Sequence, residues 1–211
     1  MRALPAALAL LALAAPAASG FFEPVSRHVD LTGDGKPERV HTVKMPGPGG
    51  GTGDLEAQTA VAIADTCGDN QFVTRPQDSL GSLSFPKADT HRGREAFIDL
   101  RSGASGRAGS IDLVALRPQG SGCPRPRELF RYSSDHPPRA PRGADGAAGF
   151  AAKVRDMSSR FKGRELALSV YFTKPGEPLC CPSIRRTILY RYDSKRDRYV
   201  RYAARTTRRP N

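Results

Sequence analysis

Leu166-Ala167-Leu168-Ser169-Val170-Tyr171-Phe172 is the stretch of this sequence that decides its fold class. Leu166, Leu168, Val170 and Phe172 stand at every second position, and side chains two residues apart share one face of an extended chain. A helix would distribute the same side chains around its surface. The alternation therefore predicts a strand over residues 164–173 with one face in the core.

Similar segments recur along the chain between Gly- and Pro-rich breaks. Their apolar residues alternate or cluster in β-branched and aromatic runs, which is typical of strands. The further predicted strands are residues 26–31, 38–44, 59–65, 96–101, 110–116, 127–132, 184–192 and 198–203. The sequence thus predicts a mainly β fold of antiparallel hairpins in one disulfide-stapled domain, with at most one short helix.

The segments between these strands are predicted to be loops, with one exception. The longest loops are residues 45–54, 75–94 and 133–149, which are rich in Gly, Pro or Arg. The exception is residues 150–162, where apolar residues recur at helical spacing and predict a short helix. Those residues are Phe150, Val154, Met157 and Phe161.

Two segments of the second half resemble each other. Residues 112–132 and 167–192 each run from a strand through a Gly- and Pro-containing loop with a Cys-Pro pair to a second strand. Both are predicted β-hairpins. They indicate either an internal duplication or two unrelated hairpins of similar composition.

The N-terminal segment has the features of a cleavable signal peptide. Met1-Arg2 give a positive start, residues 3–15 are almost all Ala and Leu, and small residues follow as far as Gly20. An uncleaved anchoring helix is the alternative, although the run is shorter than the roughly 20 apolar residues that cross a bilayer. We expect residues 1–20 to be removed and the protein to be secreted or extracytoplasmic.

The remaining chain is expected to be a soluble single domain. Residues 21–203 are enough for one hydrophobic core, and residues 204–211 are expected to be a basic, disordered tail. No later stretch is apolar enough to cross a membrane. Since no cysteine lies near the cleavage region, a lipid anchor on a new N-terminal cysteine is not expected.

The four cysteines are expected to form disulfides, because an even number in an exported protein favours them. Their spacing lacks the paired C-x-x-C knuckles of zinc sites. A bond between adjacent cysteines is strained, so at least one of the neighbouring pair is expected to join a distant loop. The disulfide candidates are Cys67, Cys123, Cys180 and Cys181, and three connectivities remain open.

The strongest motif is the stretch DLTGDGKPE, residues 30–38. Oxygen-bearing residues stand at loop positions 1, 3, 5 and 9, with Gly at position 6, which is the ligand spacing of calcium loops. The flanks are predicted strands, so an EF-hand is excluded and a structural calcium turn in a β-hairpin is predicted. A Gly-rich turn that needs no metal is the alternative. The predicted ligands are Asp30, Thr32, Asp34, the carbonyl of Lys36, and Glu38.

Three pieces of the chain, taken in order, resemble a known pattern. They are the turn at 30–38, which is similar to integrin-α (FG-GAP-like) calcium turns, the Gly-rich loop 49–52, and residues 179–193 with Leu-Cys-Cys-Pro-Ser and Tyr-Arg-Tyr-Asp. Together they resemble uncharacterised actinobacterial secreted proteins and lipoproteins of the LppP/LprE type. The resemblance covers residues 28–65 and 164–202 and implies an exported β-rich protein, without implying an activity.

Two departures from that family limit what the resemblance implies. The lipoprotein cysteine is missing, and Met45 stands where such proteins carry a cysteine before the Gly-rich loop. The resemblance therefore implies no disulfide pairing.

Positive charge is concentrated at the C-terminal end. The chain has 33 Lys and Arg against 21 Asp and Glu, a net charge of +12, and residues 185–211 hold ten of the former and two of the latter. Interleaved tyrosines favour a surface that binds anionic polymers by charge and stacking, although a solvated basic surface is the alternative. The candidate residues are Arg185, Arg186, Arg191, Lys195, Arg196, Arg198 and Arg201.

No catalytic signature surrounds the histidines or the serines, and no catalytic residue is assigned. The predicted function is a non-enzymatic secreted or cell-envelope module that binds wall polymer, anionic lipid head groups or extracellular DNA. Two alternatives are a small secreted hydrolase with an unrecognised site and a protein-partner module that binds by strand addition. Converging His and carboxylate side chains would favour the hydrolase, and an exposed edge strand the partner module.

Overall fold

The computed structural model describes most of the chain beyond the predicted signal peptide. The described residues are 25–45, 58–65, 67–89, 91–102, 108–120, 122–155, 165–178 and 181–208. The predicted signal peptide and Cys180 lie outside these residues, as does the loop at 46–57.

The described part of the chain contains strands and no helix, which confirms the predicted fold class. No helix there could cross a membrane. The strands are β1 (Ser26–Val29), β2 (Glu38–Met45), β3 (Gln58–Asp65), β4 (Gly68–Val73), β5 (Ser79–Ser84), β6 (Ala96–Ser102), β7 (Ala108–Gln119), β8 (Gly122–Ser133), β9 (Ala147–Arg155), β10 (Glu165–Phe172), β11 (Ile184–Asp193) and β12 (Arg198–Arg208).

The strands form three antiparallel sheets, each made of four consecutive strands. The first sheet holds β1 to β4, the second β5 to β8 and the third β9 to β12. Every strand therefore pairs with its neighbour in sequence, as in the register of β10 with β11, where Leu166 lies opposite Tyr190 and Phe172 opposite Ile184. Short connections suffice for such a topology because no strand crosses over another.

The second sheet is the middle layer of the molecule. Ile98 and Leu100 of β6 pack with Val40 and Ile63 of the first sheet in one core cluster. Phe97, whose side chain points to the opposite face, belongs to a second cluster with residues of the third sheet. Because both faces of β6 are covered, all five residues from Ala96 to Leu100 are buried.

A cysteine pair joins the first two sheets. Cys67, just before β4, and Cys123, in β8, lie at disulfide distance with their Cα atoms 5.7 Å apart. The candidate Cys181 is exposed.

The predicted helix over residues 150–162 is wrong where the structure describes it. Residues 150–155 belong to β9, which pairs with β10 so that Phe150 lies opposite Val170 and Ala152 opposite Leu168. A spacing of four residues fits both the helical period and the strand period, so Phe150 and Val154 could not distinguish them. Pairing with the strongly apolar β10 favours the strand.

β4 and β5, like β9, lie where no strand was predicted, and β8 and β12 are each longer than predicted. β5 has no fully buried residue and lies within the predicted loop 75–94. β12 continues to Arg208, into the segment 204–211 that was predicted to be disordered, and Ile184 pairs with Arg208. The backbone of the long strand β11 provides the partner that holds this end.

The two similar hairpins noted in the sequence do not occupy equivalent places. β7 and β8 are the third and fourth strands of the second sheet, whereas β10 and β11 are the second and third strands of the third sheet. The repeated unit of the structure is instead the four-stranded sheet.

Candidate functional site

The predicted calcium turn connects β1 to β2 and is held by its own hydrogen bonds. The backbone N–H of Gly33 donates to Asp30 Oδ1 at 2.6 Å, and that of Gly35 to Asp30 Oδ2 at 3.0 Å. Both glycines have positive φ, 81° and 87°, which the turn requires. The N–H of Lys36 donates to Asp34 Oδ1 at 2.8 Å, and this bond lowers the pKa of the exposed Asp34 carboxyl.

The last predicted ligand, Glu38, is turned inward. It is 6% exposed, and its Oε2 accepts a hydrogen bond of 2.6 Å from the N–H of Leu31. The Thr32 hydroxyl donates to Glu38 Oε1 at 3.2 Å. Burial raises the pKa of Glu38, although these bonds act in the opposite direction. Glu38 thus has a structural role in the turn whether or not a metal is bound there.

The connection between β5 and β6 packs directly on this turn. The N–H of Arg94 donates to the carbonyl of Asp30 at 3.0 Å. A side chain at Gly93 would collide with the backbone of Leu31, so the close approach requires glycine. Among the described residues, Asp89, His91 and Asp197 have ligand atoms close enough together to hold a metal ion, and these three residues are not part of the turn. Calcium binding at the turn stays a prediction.

The arginines predicted to bind polyanions are divided between the two faces of the third sheet. Ile184 and Ile188 of β11 are buried against the second sheet. Alternation places Arg186 on that inner face and Arg185 and Arg191 on the outer face. Arg201 lies opposite Tyr190, also on the inner face. The remaining candidates, Lys195, Arg196 and Arg198, are exposed in and beside the turn between β11 and β12.

The tyrosines between these arginines are already in contact with other side chains. Tyr190 packs edge-on against Phe130, with ring centroids 4.9 Å apart, and the rings of Tyr192 and Tyr199 are 5.9 Å apart. On the outer face the guanidinium of Arg191 lies 4.7 Å from the ring centroid of Tyr202. The arginines and tyrosines of this hairpin are therefore distributed over both faces of the third sheet.

An arginine-lined groove lies where the beginning of β11 and the end of β12 meet the loop that connects β8 to β9. We call it the arginine groove; its volume is about 850 Å³. Its lining contains four arginines and no acidic residue. The lining residues are Arg139, Ala140, Pro141, Arg142, Arg186, Thr206 and Arg208.

Backbone carbonyls of the loop hold two of these guanidinium groups in place. Arg186 donates from Nη1 to the carbonyl of Arg139, and Arg208 donates from Nη2 to the carbonyl of Arg142. Each guanidinium keeps most of its N–H donors for a ligand. The groove is therefore a preorganised group of positive charges and donors, which is the chemistry of an anion site.

A second groove runs between the edge strands β8 and β12. We call it the β8–β12 groove; its volume is about 540 Å³, and its lining includes Arg131, Arg196, Arg198 and Arg201. Arg131 bonds to Asp112 and to Glu128, each at 2.8 Å. Arg198 and Arg201 are exposed. This groove is also basic, with one acidic residue in its lining.

A third polar cluster connects the second and third sheets, and we call it the Arg117 clamp. Arg117 of β7 bonds through Nη2 to Asp89, in the β5–β6 connection, and to Asp197, in the β11–β12 turn, the latter at 3.0 Å. The Tyr192 hydroxyl donates to Asp197 at 2.7 Å. Asp197 has a positive φ of 47°, and its pKa is lowered because the bonds from Arg117 and Tyr192 outweigh its desolvation.

The clamp includes three potential metal ligands, but a guanidinium already joins two of them. Oxygen or nitrogen atoms of Asp89, His91 and Asp197 lie within 4.8 Å of one another. Arg117 contacts both carboxylates, so a cation would have to displace it. We therefore interpret the cluster as an ion-pair network that fixes the third sheet against the second.

Glu95 lies beneath the clamp and has a raised pKa. Burial, together with the nearby charge of Asp89, raises the pKa of Glu95 to about 8, against the opposing effects of the Ala88 N–H and Arg117. A protonated carboxyl beside an ionised one is the arrangement of a general acid and base. Glu95 is 0% exposed, however, so a substrate cannot reach it. The geometry favours a structural role.

Sequence reasoning identified Arg186 of the arginine groove and missed the rest. Arg139 and Arg142 lie in a loop predicted to be irregular, and Arg208 in the predicted tail, so only their Arg content was a signal. The clamp residues are too far apart in sequence to be associated by spacing.

No protein-family model matches this sequence, and no curated protein or solved structure compared with it matches either.

Proposed function

We propose that this protein is a non-enzymatic module, secreted or associated with the cell envelope, that binds an anionic polymer in the arginine groove. The observation that carries the proposal is a groove lined by four arginines without an acidic residue. A planar guanidinium pairs with phosphate and carboxylate oxygens through parallel hydrogen bonds. The net charge of +12 adds a long-range attraction for anions.

The expected compartment is consistent with this function. The signal-peptide features of residues 1–20 favour export, and a cysteine pair at disulfide distance suits an oxidising environment. Wall polymers, anionic lipid head groups and extracellular DNA are the anions that such a protein would meet. The proposed contact surface now centres on the inner-face residues Arg186 and Arg208 with the loop residues Arg139 and Arg142.

A protein partner that binds by strand addition is the second candidate. β12 forms one edge of the third sheet, is eleven residues long and is exposed along most of its length. An edge strand presents unpaired backbone groups that another chain can extend. The positive side chains of β12 would select an acidic partner.

Paired arginine variants test the proposed site. Arg186→Gln with Arg208→Gln removes two charges from the groove, whereas Arg185→Gln with Arg205→Gln removes two charges from the outer face of the same strands. We expect the groove variant to lose roughly tenfold or more in affinity for polyphosphate, because charge-assisted hydrogen bonds are lost. The outer-face control should lose much less.

Binding is measured with the full chain at several salt concentrations, since contacts with polyanions weaken as salt rises. Thermal melts establish that each variant is folded. Equal losses in the groove and outer-face variants would show non-specific attraction and contradict the site. Absence of binding to polyphosphate, anionic vesicles and DNA at low salt would contradict the function.

A further inference from the structure

β12 connects the two basic grooves. Arg198 and Arg201 border the β8–β12 groove, and Thr206 and Arg208 border the arginine groove. Between them Ala204 is exposed and carries a small side chain. The whole strand, RYVRYAARTTR, has four arginines and no acidic residue. β12 therefore links the two grooves through exposed residues and contributes no acidic side chain to either.

The length of this path excludes a small anion as the occupant of both grooves. Arg201 and Arg208 are seven residues apart in β12. Because β12 has a bulge after Arg201, their partners Tyr190 and Ile184 in β11 are only six residues apart, so at about 3.4 Å per residue the two backbones are separated by roughly 20 Å. A ligand that contacts both must be an extended chain with repeated negative charges.

The chemistry of the two grooves favours phosphate over aromatic bases. Tyr199 is 6% exposed, and the half-buried ring of Tyr190 is in edge-to-face contact with Phe130, so little tyrosine surface in the β8–β12 groove is left for stacking on bases. Several arginines converge on the arginine groove. A carboxylate has two oxygens, and one bidentate arginine can bond to both, whereas a phosphate group has more acceptor oxygens and can accept hydrogen bonds from several arginines at once. A groove with several arginines therefore suits phosphate better than carboxylate.

We propose that the ligand is a linear phosphate polymer that lies along β12 and occupies the arginine groove and the β8–β12 groove simultaneously. This inference rests on the proposed function and specifies its ligand class. Binding at two linked sites makes the second contact intramolecular, which raises the affinity for a chain long enough to reach both.

The experiment compares long-chain inorganic polyphosphate with triphosphate, using the full chain and three double variants. The first is Arg186→Gln with Arg208→Gln in the arginine groove, and the second is Arg198→Gln with Arg201→Gln in the β8–β12 groove. The outer-face control, Arg185→Gln with Arg205→Gln, removes the same charge. Titration calorimetry gives the affinity and the number of chains bound per protein.

We expect the unaltered protein to bind long polyphosphate roughly a hundredfold more tightly than triphosphate, as linked sites do. Neutralising the β8–β12 groove should remove most of this preference and leave the binding of triphosphate to the arginine groove nearly unchanged. Any preference for long chains that remains in that variant measures a statistical effect, because a long chain offers more equivalent positions to a single groove than triphosphate does. The outer-face control should keep the full preference.

Two outcomes would overturn the inference alone. If only the arginine-groove variant weakens polyphosphate binding, the polymer does not span both grooves and the proposed function stands. If polyglutamate of matched charge binds as tightly as polyphosphate or more tightly, phosphate is not what the grooves select. Failure of the unaltered protein to bind either polyphosphate or triphosphate at low salt would overturn both proposals together.

Discussion

Glu38 and Glu95 have the same role at the edges of two different sheets. Each precedes or begins the second strand of its sheet and accepts a hydrogen bond from the N–H of the residue seven positions earlier, Leu31 or Ala88. Both carboxyl groups are buried, and burial raises the pKa of each. In each case the buried glutamate joins the connection that precedes the strand to the beginning of that strand.

The protonation of Glu95 gives a prediction for the pH dependence of stability. Its pKa is about 8 in the folded protein and 4.5 ordinarily. The folded state therefore binds this proton more tightly than the unfolded state, so the stability that Glu95 contributes is complete below pH 4.5 and is lost as the pH rises through 8. Glu95→Gln keeps the shape and carries no titrating proton, so we expect the variant to be more stable than the unaltered protein at pH 8.

Urea unfolding at pH 5 and pH 8 checks this expectation. The stabilisation by Glu95→Gln should grow between the two values, by at most roughly 1.4 kcal/mol for each unit of pKa difference. A weaker decline with pH should remain, because burial also raises the pKa of Asp99 and Asp112. If the two proteins lose stability in parallel as the pH rises, Glu95 does not hold a proton in the fold.

The calcium turn gives a second prediction at the level of single residues. If the turn binds calcium with a Kd on the order of 0.1–1 mM, calcium at about 1 mM raises the free energy of unfolding by about 0.4–1.4 kcal/mol. Asp34→Ala should abolish this increment, because it removes a predicted calcium ligand, and it should cost little otherwise, because the exposed Asp34 carboxylate accepts only a local bond from the N–H of Lys36. Glu38→Ala should destabilise the protein with or without calcium, since Glu38 also holds Leu31 and Thr32.

Thermal melts with calcium, with magnesium and with a chelator make the comparison. Magnesium is the matched control because it prefers a smaller, octahedral site. A turn that needs no metal would give the same melting temperature in all three solutions for the unaltered protein, and Asp34→Ala would then shift it equally in each.

Among the elements, burial determines which strands could be predicted from sequence. β3, β6, β10 and β11 carry buried alternating or continuous apolar residues, and each was predicted within a residue or two. β5, SLGSLS, is an edge strand with little burial, so its small polar residues gave no periodic signal. Such a strand is stabilised by hydrogen bonds to its neighbour, here β6, and the periodicity of its own sequence does not reveal that pairing.

The candidate site illustrates the same limit. Arg186 was selected because it lies in a predicted hairpin, but the face on which it lies depends on the register with β12. Arg139 and Arg142 reach the groove only through tertiary packing of their loop on the third sheet, which is visible in the bonds from Arg186 and Arg208. Charge composition identified the basic region, and strand register located the groove within it.

At the scale of the whole molecule, three stacked sheets are joined by two different kinds of link. The Cys67–Cys123 pair connects the first sheet to the second, and the Arg117 clamp connects the second to the third. Core clusters lie on both sides of the second sheet. Stability of the first interface should therefore depend on redox state, whereas the grooves of the third sheet contain no cysteine.

Replacing the cysteine pair separates these two properties. The pair closes a loop with a sequence separation of 56 residues, and a disulfide there restricts the unfolded chain, so we expect Cys67→Ser with Cys123→Ser to lower the free energy of unfolding by about 2–4 kcal/mol. Polyphosphate affinity measured well below the melting temperature should be unchanged, because the arginine groove is built by the third sheet and its neighbouring loop and the β8 residues that line the β8–β12 groove begin only at Glu128, beyond Cys123. Cys180→Ser with Cys181→Ser controls for the other cysteines. A large loss of affinity in the Cys67 and Cys123 variant would show that the grooves depend on the first interface, and unchanged stability under oxidising conditions would show that the pair does not form a bond.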